Sequence, residues 1–194
     1  MNENAFDWNR TLREQWAFHW NVLRGRLADL TDEEYFWSLV PDAWSVRPRG
    51  SSTAPIQGGS GDYTIDFAFP EPVPAPFTTI AWRLGHVIVG VLAARNAAHF
   101  GAPPASYESW EYAGSAAGAL DQLHTQVDVW LAGVAGLGEA GLRVPVGEKE
   151  PYPDAPMADL VLHIHRELIH HLSEVFLLRD LYLHAHAAPN GAAR

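Results

Sequence analysis

Leu12, Trp16, His19, Trp20, Leu23, Leu27 and Leu30 recur at three- and four-residue steps, which predicts a long amphipathic helix over residues 7–30. Thr31-Asp32-Glu33-Glu34 follows, the pattern of a capping box opening a short second element that runs through Trp37. Between 41 and 76 the chain is rich in Pro, Gly and Ser, and only 63–69 alternates in the manner of a strand. Thr78 or Thr79 then caps a helix to about Phe100, whose Ile80, Trp82, Leu84, Val87, Ile88, Val91 and Leu92 leave few polar positions, as in a central helix. Gly101-Ala102-Pro103-Pro104 stops it. Ser115 opens the next helix, with the stripe Leu120, Leu123, Val127, Trp130, Leu131, Val134 and an end at Gly136-Leu137-Gly138. After a loop over 145–156, residues 158–186 form the last long helix. Four long helices, two long connections and almost no strand signal predict an all-α fold, a four-helix bundle with long loops. One domain spans 1–194, with its core at about 7–186.

Composition narrows the function classes. The chain of 194 residues is 47% apolar and has eight Trp, so it folds around a real core. Its net charge of −10 and lack of a basic stripe disfavour nucleic-acid partners, because phosphate contacts need clustered Lys and Arg. With no cysteine, any thiol chemistry has to use a thiol brought in by a cosubstrate. No apolar run of about 18 residues occurs and the first residues are polar, which predicts a cytoplasmic protein without a membrane partner, acting on a small molecule.

The densest chemistry lies in His163-Ile164-His165-Arg166-Glu167-Leu168-Ile169-His170-His171, four imidazoles and a carboxylate in nine residues. At about 100° per residue, His163, Glu167, His170, His171 and Glu174 share one face of the last helix, and His165 points to the opposite, outer side. Imidazole and carboxylate suit borderline divalent ions such as Zn²⁺, and residues four apart on a helix can close on one ion. One helix supplies two ligands comfortably, so a third comes from elsewhere. His86 is the histidine well inside the apolar second long helix, and with a Glu and a His four apart on the last helix it makes a three-ligand set that leaves a position open. His99 lies roughly 20 Å further along that helix and competes weakly. His19 and His124 read as interior packing, and His184 and His186 as solvated residues near a frayed end. The zincin pattern fails because Arg166 precedes Glu167, and only one Glu-x-x-His unit is present where a di-iron bundle needs two.

Thr78-Thr79-Ile80-Ala81-Trp82-Arg83-Leu84-Gly85-His86, Glu167-Leu168-Ile169-His170-His171-Leu172-Ser173-Glu174 and Leu177-Leu178-Arg179-Asp180-Leu181-Tyr182 resemble the DinB-like (DinB/YfiT-like) superfamily of metalloenzymes, and Pro41-Asp42-Ala43-Trp44-Ser45-Val46-Arg47 looks like the segment that follows its first helix. The resemblance spans about 7–182. It implies a four-helix bundle whose metal is held by one histidine of the second helix and a pair four apart on the last. Many members use His-x-x-x-His for that pair. Here Glu167 takes the first position, which is similar to the mycothiol-dependent maleylpyruvate isomerase branch and supports His86, Glu167 and His171 as ligands. His170, His163 and Glu174 remain alternative ligands or neighbours of the ion, because the adjacent histidines leave the register open by one residue.

The expected function is a metal-dependent enzyme of the thiol-transferase or isomerase type, using Zn²⁺ (or Ni²⁺ or Mn²⁺) and a low-molecular-weight thiol such as mycothiol. The alternatives are a metal-dependent hydrolase and a non-catalytic metal-binding bundle, serving as a sensor or a homodimerisation module. A substrate cleft is expected under the 41–76 connection, with Trp44 as an apolar wall and Arg47 as the partner of an anionic substrate.

Overall fold

The structure is a computed structural model and describes residues 6–187. Helix α1 (Trp8–Leu27) starts where the Asp7 carboxylate accepts the Arg10 N–H, and it buries Leu12, Trp16, Trp20, Leu23 and Leu27. It stops short of Leu30 because Ala28 leaves the helical conformation and Asp29 adopts φ 62°; the turn folds Leu30 back into the core. Both halves of the Thr31/Glu34 capping box form at the start of α2 (Asp32–Phe36). The Glu34 carboxylate also accepts two hydrogen bonds from Arg179, tying α2 to the last helix.

The 41–76 connection contains more order than its composition suggests. Strands β1 (Val46–Pro48), β2 (Ile56–Gly58) and β3 (Tyr63–Phe67) form an antiparallel sheet in the order β1-β3-β2, with Val46 opposite Ile65 and Ile56 opposite Phe67. The all-α expectation is therefore corrected: the fold is mostly helical with a small three-stranded sheet. The two outer strands are three residues each and contain Pro48 and Gly58, too short and too broken to leave a period-two signal. On the central strand, Asp66 is buried but accepts from the Ser45 N–H, Arg47 Nε and the Ser52 hydroxyl, so its charge is satisfied.

Thr79, rather than Thr78, caps α3 (Ile80–His86) through the Trp82 N–H. The helix continues through a π-helical turn, Val87–Ala93, into α4 (Ala94–His99). Ser115 caps α5 (Ala116–Gly141), and the expected stop at Gly138 is a kink at φ 57°, after which one further turn follows. Helix α6 (Met157–His186) completes the scaffold. Helices α1 and α5 pack together, α1 and α3 each lie against α6, and the π-helical turn packs against α5 and α6. The fully buried Trp16, Trp130, Leu123, Ile88, Leu92, Ile164 and Leu168 fill the space between them. Among the described residues no helix is long and apolar enough to cross a membrane.

His165 is turned away from Glu167, as the helix arithmetic requires, but it is not on an outer face. It lies on the Val161, Leu168, Leu172 stripe of α6 and is 2% exposed, stacked on Trp16 at 5.3 Å and meeting the Trp130 ring edge-on at 6.3 Å. Neither ring nitrogen has a protein hydrogen-bond partner. An unpaired imidazole in an apolar core carries a desolvation cost that a phenyl ring does not. His165→Phe is therefore expected to raise the free energy of unfolding near pH 7 by about 1 kcal/mol, read from urea titrations. A loss of stability would instead show that internal water pairs the imidazole.

Candidate metal centre

The antiparallel packing of α3 and its π-helical extension on α6 sets the site. It places the His86 ring 4.7 Å from that of His171, centroid to centroid and nearly perpendicular. His171 Nε2 is 3.4 Å from a Glu167 oxygen, one helical turn back on α6. His86, Glu167 and His171 thus converge from two helices, with partial burial of each. His163 lies a turn further back, with Nδ1 3.6 Å from Glu167, and Arg166 hydrogen-bonds both residues.

The remaining nitrogens are engaged from outside the cluster. His171 Nδ1 is 3.1 Å from Glu174, and Glu174 is in turn held by Arg83 from α3. A histidine that donates its Nδ1–H to a carboxylate presents a free Nε2 lone pair on the other side, the arrangement common behind metal-binding histidines. His86 Nδ1 is 2.6 Å from the Tyr107 hydroxyl, and its ring stacks on Trp82 at 5.4 Å. Trp82 is fixed by donating Nε1–H to the Asp66 carbonyl at 2.8 Å, so the central strand of the sheet supports the wall behind His86.

Among the described residues, the grouping whose donor atoms all lie within 4.8 Å of one another is a different one, His170, His171 and Glu174. It is the more exposed of the two. The His170 side chain is 63% exposed, and Glu174 is already neutralised by Arg83. The His86 set has the more buried imidazoles, and its carboxylate, Glu167, is paired with Arg166 at 3.2 Å as well as with the histidines.

Charge states fit that assignment. Burial, helped by the neighbouring His171, pushes the His86 pKa down to about 4, so its ring is neutral and its lone pair available at neutral pH. Burial raises the Glu167 carboxyl, but the Arg166 hydrogen bond and the nearby His163, His171 and Arg166 charges outweigh it and leave the pKa below the ordinary value. Two imidazoles and one carboxylate form a donor set suited to Zn²⁺ and related divalent ions.

Trp44 and Arg47 are not brought to this cluster. Arg47 donates to Asp66 at 3.0 Å and to the Ala43 carbonyl at 2.7 Å, and both residues line a separate cavity of about 300 Å³ with Asp42, Ser52 and Asp66. Trp44 stands one ring removed, 6.1 Å from Trp82. The buried Asp66 explains the difference, since it demands a cation at the point where the loop crosses the sheet. On the other side, a cavity of about 510 Å³ lies under the 143–156 loop and is lined by Arg95, Val146, Glu150, Tyr152, Leu160 and His163. His163 joins it to Glu167. His99, which competed weakly from the sequence, instead meets Glu150 at 3.0 Å behind that cavity.

Sequence reasoning missed Tyr107, Trp82 and Arg83. Trp82 and Arg83 are four and three residues before His86, so the helical period carried a signal for both. Tyr107 sits in the irregular 101–115 segment, where no period exists to single it out.

The scaffold and this cluster define a class: a mostly helical protein with a His/Glu/His grouping clasped between its second long helical run and its last helix. The family model of the DinB superfamily matches residues 15–175, and the chain belongs to that superfamily. No curated protein and no solved structure matches the chain.

Stability should depend on pH through the buried histidines. His86 and His165 are both pushed down to about 4 from 6.5, so between those values the unfolded chain binds protons that the folded one does not. Stability is full above about pH 6.5 and falls as the pH drops toward about 4, by up to about 1.4 kcal/mol per pH unit for each histidine. Urea unfolding of metal-free protein at pH 7 and pH 5 measures this, and His165→Phe should remove about half of the dependence. A flat profile would contradict the burial of both rings.

Proposed function

We propose that this chain is a metal-dependent enzyme in which His86, Glu167 and His171 hold one divalent ion, Zn²⁺ best matching the donors, and that a low-molecular-weight thiol such as mycothiol is its cosubstrate. The observation that carries the ligand assignment is the convergence of the three side chains with the Nδ1 atoms of both histidines engaged from behind. Membership of a superfamily that is generally metal-binding supports it. In this reading the four long helical runs are the bundle of that superfamily, with the sheet as an addition to one end.

A bound divalent ion would supply Lewis acidity, favouring the anionic form of a thiol at neutral pH. The chain's own residues do the rest. Glu174, anchored by Arg83, holds the His171 ring; Trp82 covers one face of His86 and keeps water from it; Glu167 supplies the negative charge that balances the ion. The absence of cysteine leaves the protein no thiol of its own to compete with the cosubstrate. The cavity beside His163 is of a size for a small-molecule substrate.

Protein purified without a histidine tag is expected to bind one equivalent of zinc in equilibrium dialysis. His86→Ala and His171→Ala should each weaken that binding by orders of magnitude, whereas His165→Ala should keep it. Full zinc occupancy in both of the first two variants would overturn the ligand set. A panel of low-molecular-weight thiols offered with electrophilic acceptors then tests the transferase reading: thiol-dependent turnover that needs the metal supports it, and metal-dependent hydrolysis without a thiol replaces it.

A further inference from the structure

We infer that Tyr107 is a positioning residue for the candidate metal centre: its hydroxyl accepts the Nδ1–H of His86 and so selects the imidazole tautomer whose Nε2 faces the ion. The inference rests on the reading of His86 as a ligand.

The geometry that supports it is specific. The hydroxyl is 2.6 Å from His86 Nδ1, and the two rings lie almost parallel, 9° apart. A neutral imidazole carries one N–H. If Tyr107 donates, the proton sits on Nε2 and the ring cannot ligate through it; if Tyr107 accepts, Nε2 has a free lone pair toward His171 and Glu167. Only the second arrangement is compatible with an ion between His86, Glu167 and His171. Glu174 performs the same service for His171, so each histidine has its own orienting acceptor, one a carboxylate from α6 and one a phenol from the 101–115 segment.

Local structure makes room for the phenol. A Cβ built on Gly90 would lie 2.0 Å from the Tyr107 hydroxyl and 3.3 Å from His86 Nδ1, so any larger residue would expel the hydroxyl. Gly90 is in the π-helical turn that starts directly after His86, a distortion found often at functional sites, and its carbonyl is taken by Arg95 Nη1. From the opposite side Phe67 of β3 meets the Tyr107 ring edge-on at 4.8 Å, and Tyr112 donates to the Tyr107 carbonyl at 3.1 Å. The hydroxyl is thus held by its own loop, the sheet and a glycine that exists in a helix which would otherwise favour alanine.

The test uses zinc as the probe, with affinity measured by competition against a chromophoric chelator and the His86 Nδ1–H observed by ¹⁵N-edited NMR of the zinc-loaded protein. Wild-type protein should show a slowly exchanging Nδ1–H. Tyr107→Phe, which removes only the hydroxyl, should lose that protected signal and weaken zinc binding about 10- to 100-fold. Gly90→Ala should do the same by displacing the ring, whereas Tyr182→Phe, near the far end of α6 against Trp37 and His186, should leave both readouts unchanged. Unaltered zinc affinity and an unaltered Nδ1–H in Tyr107→Phe would overturn the positioning role while His86→Ala still loses zinc. Zinc retained by His86→Ala would instead overturn the ligand assignment, and this inference with it.

Discussion

A polar ring between packed helices costs stability unless its nitrogens have partners, and His86 is the ring on which this structure turns. It sits in a run of apolar residues at the centre of the fold, and everything around it satisfies or covers it. Trp82 stacks on one face, Tyr107 meets Nδ1, and His171 and Glu167 stand on the other side. Without those partners an imidazole there would be a destabilising group, as His165 is in the neighbouring core. The two histidines have the same depressed pKa for the same reason, burial, yet only one is surrounded by chemistry.

The small sheet takes its meaning from this ring. Its central strand offers the Asp66 carbonyl to Trp82 and the Phe67 ring to Tyr107, so two of the supports of His86 are fastened to β3. The side chain of Asp66 faces the other way and fixes Arg47 and Ser52, which closes the long connection on itself. The connection therefore acts as a buttress behind the site and not as its lid. The 143–156 loop borders the cavity next to His163.

Helix α6 has two working faces. Val161, His165, Leu168 and Leu172 build the core with α1 and α5, while Glu167, His171 and Glu174 meet α3. A helix that is apolar on one side and acidic and basic on another can serve both duties because its period keeps the two sets about a third of a turn apart. The Arg83–Glu174 pair locks the rotation of α6 against α3, and with it the direction of the His171 ring.

The helices, their caps and the grouping of Glu167 and His171 were legible in the sequence, because each depends on residues within one or two turns of one another. Asp7, Thr31, Thr79 and Ser115 each cap the helix they precede, and the three- and four-residue spacing of apolar side chains marks each buried stripe. That His86 approaches Glu167 and His171 came only with the resemblance to a family and the apolar setting of its helix, and the structure supplied the distance. The position of His165 was within reach of the same period: it follows Val161 by four residues and precedes Leu168 by three, and only its polarity argued for solvent. What tertiary structure alone decided is the set of contacts between segments distant in the chain. The sheet pairs three short stretches with too few residues to show a period, Asp66 draws Arg47 away from the donors, and Tyr107 arrives from an irregular loop. A local pattern fixes which way a side chain leaves its own helix; which partner it meets is set by how the helices and loops pack, and that information is spread over the whole chain.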